Sequence, residues 1–222
     1  MKQTHTILIG AALLVILTFV AYQPAYHGGF IWDDDMHVSD NVLLRNAEGL
    51  GKIWFELGSF PQYYPVTLTS FWINYQLWGL DTTGYHILNI ILHCLNALLL
   101  WLILSRLSVP GAWAVALVFA LHPVHVETAA WISERKNTLS GFFYLASFAA
   151  YIRASGLDGL KLPKGRGLWM MYGLSLALFV LALLGKTVTA TLPAAILLIV
   201  WWKRGRIARR DITMTSPFFI VG

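Results

Sequence analysis

The 222-residue chain is 57% hydrophobic and only 12% charged, against roughly 45–50% and about 25% in soluble domains, which argues against a soluble single domain. Its net charge of +5 reflects where the cations lie, and the cluster Lys203, Arg204, Arg206, Arg209 and Arg210 directly follows an apolar run, as in a cytoplasmic loop and not a nucleic-acid surface. The one cysteine, Cys94, lies inside an apolar run, so neither a disulfide framework nor a cysteine-built zinc site is available.

The first apolar run, Ile7 to Tyr22, follows Lys2, and Tyr22-Gln23-Pro24 is a poor small-residue cleavage site, so it reads as an uncleaved signal anchor. Pro24 to Gly84 holds seven acids, two bases and many aromatics, with Phe71, Tyr75 and Trp78 at helical spacing. This predicts helices lying on the membrane interface, interrupted at Pro61 and Pro65. Further spans are expected near 87–104, 109–121, 138–152, 168–184 and 188–202. The fold class is therefore an all-α polytopic membrane protein with about six transmembrane helices and a large first extracytoplasmic loop. With the N-terminus in the cytoplasm, the inside segments hold eleven basic residues with only Asp158 and Asp211, and the outside segments five basic and nine acidic residues, as the positive-inside rule requires. Val109 to Leu121 rises only about 20 Å as a helix, against roughly 30 Å of hydrocarbon. The string after it therefore falls near the membrane boundary, where irregular backbone lines protein or a water-filled cavity. Phe218-Phe219-Ile220-Val221 starts another apolar run, which reads as the N-terminal part of a longer protein.

Asp33, Asp34 and Asp35 follow Phe30-Ile31-Trp32 on the outside. Three adjacent carboxylates repel, which raises a pKa or recruits a cation, so the run suits a general base, a metal site or a solvated turn that caps a helix. His122, His125 and Glu127 form a His-x-x-His-x-Glu string that suits a divalent metal if helical, although Pro123 starts a helix there and does not continue one. The other reading is interface histidines with one functional carboxylate. Arg135, Lys136 and Lys186 are cations on the outer side. Each needs a partner near membrane depth, either a lipid phosphate or, for Lys136, the neighbouring Glu134. Lys186 has no acid beside it in sequence. Asn89, His93 and Asn96 share one helix face, as in interhelical hydrogen bonding.

These landmarks resemble the N-terminal membrane region of the transmembrane and tetratricopeptide-repeat glycosyltransferases and their bacterial relatives, within the glycosyltransferase C superfamily. The resemblance rests on Phe30 to Asn41, on His122-Pro123-Val124-His125-Val126-Glu127, on Arg135 to Leu139 and on Lys186 to Pro193. It implies a multi-pass protein of a bacterial inner membrane or the endoplasmic reticulum. The implied donor is a sugar on polyprenyl or dolichyl phosphate, and the acceptor a hydroxyl of a protein or glycan. Asp33 and Asp34 match the acidic pair, with Asp33 expected as base and Asp34 and Glu127 supporting acceptor or metal. Arg135 and Lys186 are expected at the donor phosphate, and Asp35, His122 and His125 as supporting residues. The third acid, Asp35, departs from the pattern, and no tetratricopeptide repeat lies in this chain. A non-enzymatic membrane scaffold is the competing reading. A transporter fits less well, because inward ionisable residues are few and no inverted repeat is evident.

Overall fold

The computed structural model describes residues 2–222, with the side chains of residues 2 and 3 outside the described set. The charge of Lys2, which contributes to the expected orientation, therefore lies outside the described residues. Among the described residues all regular structure is helical. The principal helices are α1 (Lys2–Ala21), α2 (Ala47–Phe55), α3 (Pro65–Trp78), α4 (Thr82–Arg106), α5 (Ala112–Leu121), α6 (Val126–Ala130), α7 (Arg135–Ser155), α8 (Arg166–Gly185), α9 (Leu192–Arg204) and α10 (Arg209–Val221). Helices lie on every apolar run, and three have the length and composition to cross a membrane: Thr4–Ala21, Thr82–Arg106 and Arg166–Gly185. The pair Ala112–Leu121 and Pro123–Ala130, bent by 54° at its break, is apolar enough only when taken together, as a broken span or a re-entrant loop. The chain is a membrane protein.

Local chemistry sets the helix ends. Asp81 starts α4 by accepting from Thr83 N–H at 3.0 Å, and Asn46 starts α2 by accepting from Gly49 N–H at 2.8 Å. Gly49 also lies where a Cβ would fall 2.1 Å from the Leu43 carbonyl oxygen, so no other residue lets α2 sit this close to the preceding turn. α7 packs between α4 and α8. At one end of α7, Tyr151, Phe179, Leu192, Ile196 and Phe218 form a core, while α1, α4 and α5 meet through Leu14, Cys94, Ala97, Ala116 and Ala120. Small residues there let backbones approach where water supplies no driving force.

The segment between α1 and α4 forms the expected helices and also packs a core of its own. Pro61 and Pro65 do separate α2 from α3, but Phe71 is fully buried and packs with Val38, Leu44, Tyr85 and Ile132, and Tyr75 lies under Arg45 at 4.2 Å. Trp54, Phe60, Phe71, Trp72 and Tyr75 build this small core, whereas Trp32, Phe55, Tyr63 and Trp78 stay exposed. Burying Phe71 is worth about 3 kcal/mol.

The polar face of α4 completes the framework. His86 approaches the Ala130 carbonyl at 2.8 Å, Asn89 donates to the Trp131 carbonyl at 2.8 Å, His93 approaches the Ala120 carbonyl at 3.0 Å and Asn96 donates to the Thr138 carbonyl at 2.9 Å. The hydrogen bonding expected of this face is present. Its partners are backbone carbonyls on and around the broken α5–α6–α7 stretch, groups that apolar surroundings would otherwise leave unpaired.

Candidate active site

The acidic run is split by one backbone turn. Trp32 sits in the left-handed region at φ 48°, unusual for a bulky side chain, and the chain folds back so that Asp34 N–H donates to the Ile31 carbonyl at 3.0 Å. Asp34 is then fully buried, its carboxylate accepting from Ile31 N–H at 3.0 Å and from Ser133 N–H at 2.7 Å. Burial raises its pKa above the ordinary carboxylate value, against the opposing pull of those two backbone donors. Asp34 thus clamps this loop to the stretch before α7. Asp33, on the other side of the turn, is exposed and lines an open cleft of about 560 Å³ with Asp35, Asp40, Ser59 and Phe60. Asp35 accepts from Ser39 Oγ at 2.9 Å.

His37, which sequence reading passed over, lies behind Asp33. It is buried, its Nδ1 2.8 Å from the Asp33 carbonyl and its ring edge-on to Phe60 and Phe71. The available signal was its position four residues after Asp33, one helical turn away. Burial lowers its pKa and Lys136 adds to this, while the Asp33 carbonyl and the carboxylates of Asp33 and Asp34 oppose. The folded state therefore refuses a proton that the unfolded chain takes up below about pH 6.5. Stability falls as pH drops from there toward the depressed folded value. Melting in detergent near pH 7.5 and near pH 5.5 is expected to show a loss in the wild type that His37→Gln reduces. Asp34, with its raised pKa, works in the opposite sense and is common to both proteins. Equal losses would place the acid sensitivity elsewhere.

Directly after Ser133 come the outer cations. Lys136 Nζ is 3.0 Å from Glu134 Oε1, the pairing that its sequence position allowed. Asn137 donates to Glu134 Oε2 through Nδ2 and accepts from Lys186 Nζ at 2.5 Å. Lys186 follows the end of α8, where Gly185 packs on Ser140 and its carbonyl accepts from Thr67 Oγ1 at 3.0 Å. Partial burial lowers the pKa of Lys186, Glu134 pulling it back up and Lys136 pushing it further down. A phosphate would relieve both effects.

Arg135 needs correction as a donor-phosphate ligand. It has no exposed surface, and its guanidinium donates to Asn89 Oδ1, to Asn74 Oδ1 at 2.6 Å and to the Tyr85 carbonyl at 2.9 Å, with the Phe71 ring 5.1 Å away. The first residue of α7 points into the bundle, so Arg135 ties α3, α4 and α7 together and does not reach the surface. Arg135→Met, of similar length, strands three buried acceptors. It is expected to cost about 3 kcal/mol or more, read as a large fall in melting temperature in detergent; an unchanged melt would remove this structural role.

The His-x-x-His-x-Glu string also diverges. Pro123 opens a single 3-10 turn, His122 accepts from Val124 N–H at 3.2 Å through Nδ1 and stays exposed, and His125 turns toward Phe119 and His93 with ring centroids 4.5 and 5.7 Å away. Glu127 is exposed and borders an apolar cavity of about 500 Å³ lined with Trp32 and Trp131. Among the described residues no three of His, Cys, Asp and Glu converge to hold a metal ion. The Asp34–Ser133 bond thus ties the turn of Asp33, Asp34 and His37 to the segment of Glu134 and Lys136, Asn137 links that segment to Lys186, and His122 and Glu127 line other cavities.

Comparison with known proteins gives the same direction. No family model matches, and no solved structure matches. The chain is 30% identical over 185 residues to protein O-mannosyl-transferase TMTC3 of Homo sapiens, covering 78% of this chain and 20% of that protein. It is 31% identical over 161 residues to protein O-mannosyl-transferase Tmtc1 of Drosophila melanogaster, covering 68% and 19%. The chain spans about a fifth of the length of the curated relatives it matches. Over most of its own length, this chain is a relative of the TMTC-type protein O-mannosyl-transferases.

Proposed function

We propose that this chain supplies the donor-handling part of a membrane glycosyltransferase for protein O-glycosylation, which moves a sugar from polyprenyl or dolichyl phosphate to an acceptor hydroxyl on the extracytoplasmic side. The observation that carries the reading is the exposed Asp33 held, through buried Asp34, against the segment that bears Lys136 and Asn137, the latter accepting from Lys186. Acid and amine at one end of the bundle are what the reaction requires. Asp33 takes the proton of the acceptor hydroxyl as its oxygen attacks the anomeric carbon, and the bond from that carbon to the phosphate oxygen breaks with inversion. Lys186 meets the negative charge on the departing lipid phosphate. The names of the relatives supply the transfer class, and the runs on α1, α4, α5 with α6, α7, α8 and α9 supply the six spans of the proposed topology.

The test is a transfer assay on the full-length protein with a panel of lipid-phosphate sugars, beside reporters fused after Gly58 and after Gly159. Sugar transfer from at least one donor, with Gly58 outside and Gly159 inside, is the expected result. Reversed reporters would put Asp33 and Lys186 in the cytoplasm and remove the site. Correct topology without transfer from any donor would favour the scaffold.

A further inference from the structure

A second cavity lies between α4, the α5–α6 break and the first turns of α7. It measures about 320 Å³ and its lining includes His93, Asn96, Phe119, Asn137, Gly141 and Tyr144, with no lysine, arginine, aspartate or glutamate among its lining residues. It falls at the level where α5 stops short, the depth at which polar backbone requires a protein or water-lined space.

The hydrogen-bond roles of its walls are fixed by their neighbours. Asn96 is buried, its Nδ2 engaged by the Thr138 carbonyl, and its Oδ1 has no partner. His93 is also buried, and its Nε2 faces the Ala120 carbonyl, so that nitrogen carries the proton. Asn96 Oδ1 is therefore a buried acceptor that lacks a donor, an arrangement that costs stability until something supplies one. A hydroxyl supplies it, whereas a phosphate, itself an acceptor, does not. Phe119 and Tyr144 add apolar faces suited to the C–H faces of a sugar ring. Asn137 spends its Oδ1 on the ammonium of Lys186, so a cation stands beside a polar chamber that His125 and Thr128 also line.

We infer that this cavity holds the neutral sugar unit of the lipid-phosphate donor, with the phosphate directed toward Lys186 and the free acceptor of Asn96 receiving a sugar hydroxyl. The inference rests on the donor reading above and assigns a specificity subsite within it.

Gly141 gives the clean test. A methyl added there would sit 3.4 Å from Asn96 Nδ2, an ordinary contact that occupies cavity space, and alanine favours an α-helix over glycine. Binding to the full-length protein in detergent is measured with polyprenyl-phosphate mannose and with sugar-free polyprenyl phosphate. Gly141→Ala is expected to melt no lower than the wild type, to bind the mannose lipid about tenfold more weakly and to bind the sugar-free lipid unchanged. Asn96→Leu, which removes the unpaired acceptor, is expected to show the same selectivity, again about tenfold. Lys186→Ala weakens both lipids. The sugar subsite is overturned if Gly141→Ala leaves mannose-lipid binding unchanged or weakens both lipids in parallel. A wild type that binds neither lipid overturns the donor reading and this inference together.

Discussion

Asp33→Asn is expected to reduce transfer by about a hundredfold or more while leaving the melting temperature in detergent unchanged. The asparagine keeps the size of the side chain but cannot take the acceptor proton, and Asp33 is exposed, with no side-chain bond to the fold shown for it. Asp34→Asn should behave in the opposite order. Its two carboxylate oxygens receive two backbone N–H groups; an amide offers one acceptor and turns a donor toward the other N–H, leaving a buried group unsatisfied at a cost of about 1–3 kcal/mol. Its primary effect is therefore on stability, with activity lost through displacement of the turn. Full transfer by Asp33→Asn would return the acidic run to a structural role, whereas a stable but inactive Asp34→Asn would exchange the two assignments.

Lys186→Ala is expected to weaken binding of the lipid-phosphate donor by about tenfold to a hundredfold, the range of a hydrogen bond to a charged group, and to slow turnover accordingly. Lys186→Arg keeps the charge on a different shape and retains part of both. The partner it leaves behind, Asn137 Oδ1, lies on a half-buried residue that water can reach, so folding is little affected. Titration of the wild type and the alanine variant with donor lipid decides the matter: equal affinities would mean that the amine serves only Asn137 and the depth of the helix end.

What was legible in the sequence was the pattern that each element carries on its own. The 3-and-4 spacing of Asn89, His93 and Asn96 marks one helix face, and Pro123 marks the break that follows α5. Long-range pairing was not legible. The carbonyls that receive the α4 face are 27 to 58 residues away. Arg135 stands between Glu134 and Lys136, a setting that reads as a charged surface, yet α7 starts with its first side chain turned inward. The different fates of Asp33 and Asp34 depend on the left-handed backbone at Trp32, a conformation that composition does not announce for tryptophan. His37 was hidden because a single histidine among hydrophobic neighbours carries no motif of its own.

The dependence of α4 on carbonyls that come later in the chain bears on how the protein is made. When α4 first leaves the ribosome, the segments that will occupy its polar face, from Ala120 to Thr138, have yet to be synthesised. At roughly 5–20 residues per second that wait is on the order of seconds. For that interval His93 and the two asparagines of an otherwise apolar helix have only water or the insertion machinery to bond, while His86 already has the Gly28 carbonyl that precedes it. Lateral release of α4 into lipid is therefore expected to wait for the broken α5–α6 segment. Shortening or stiffening the α4–α5 connection at Val109-Pro110-Gly111 would act first on that hand-over, lowering yield in the membrane before any effect on the finished fold.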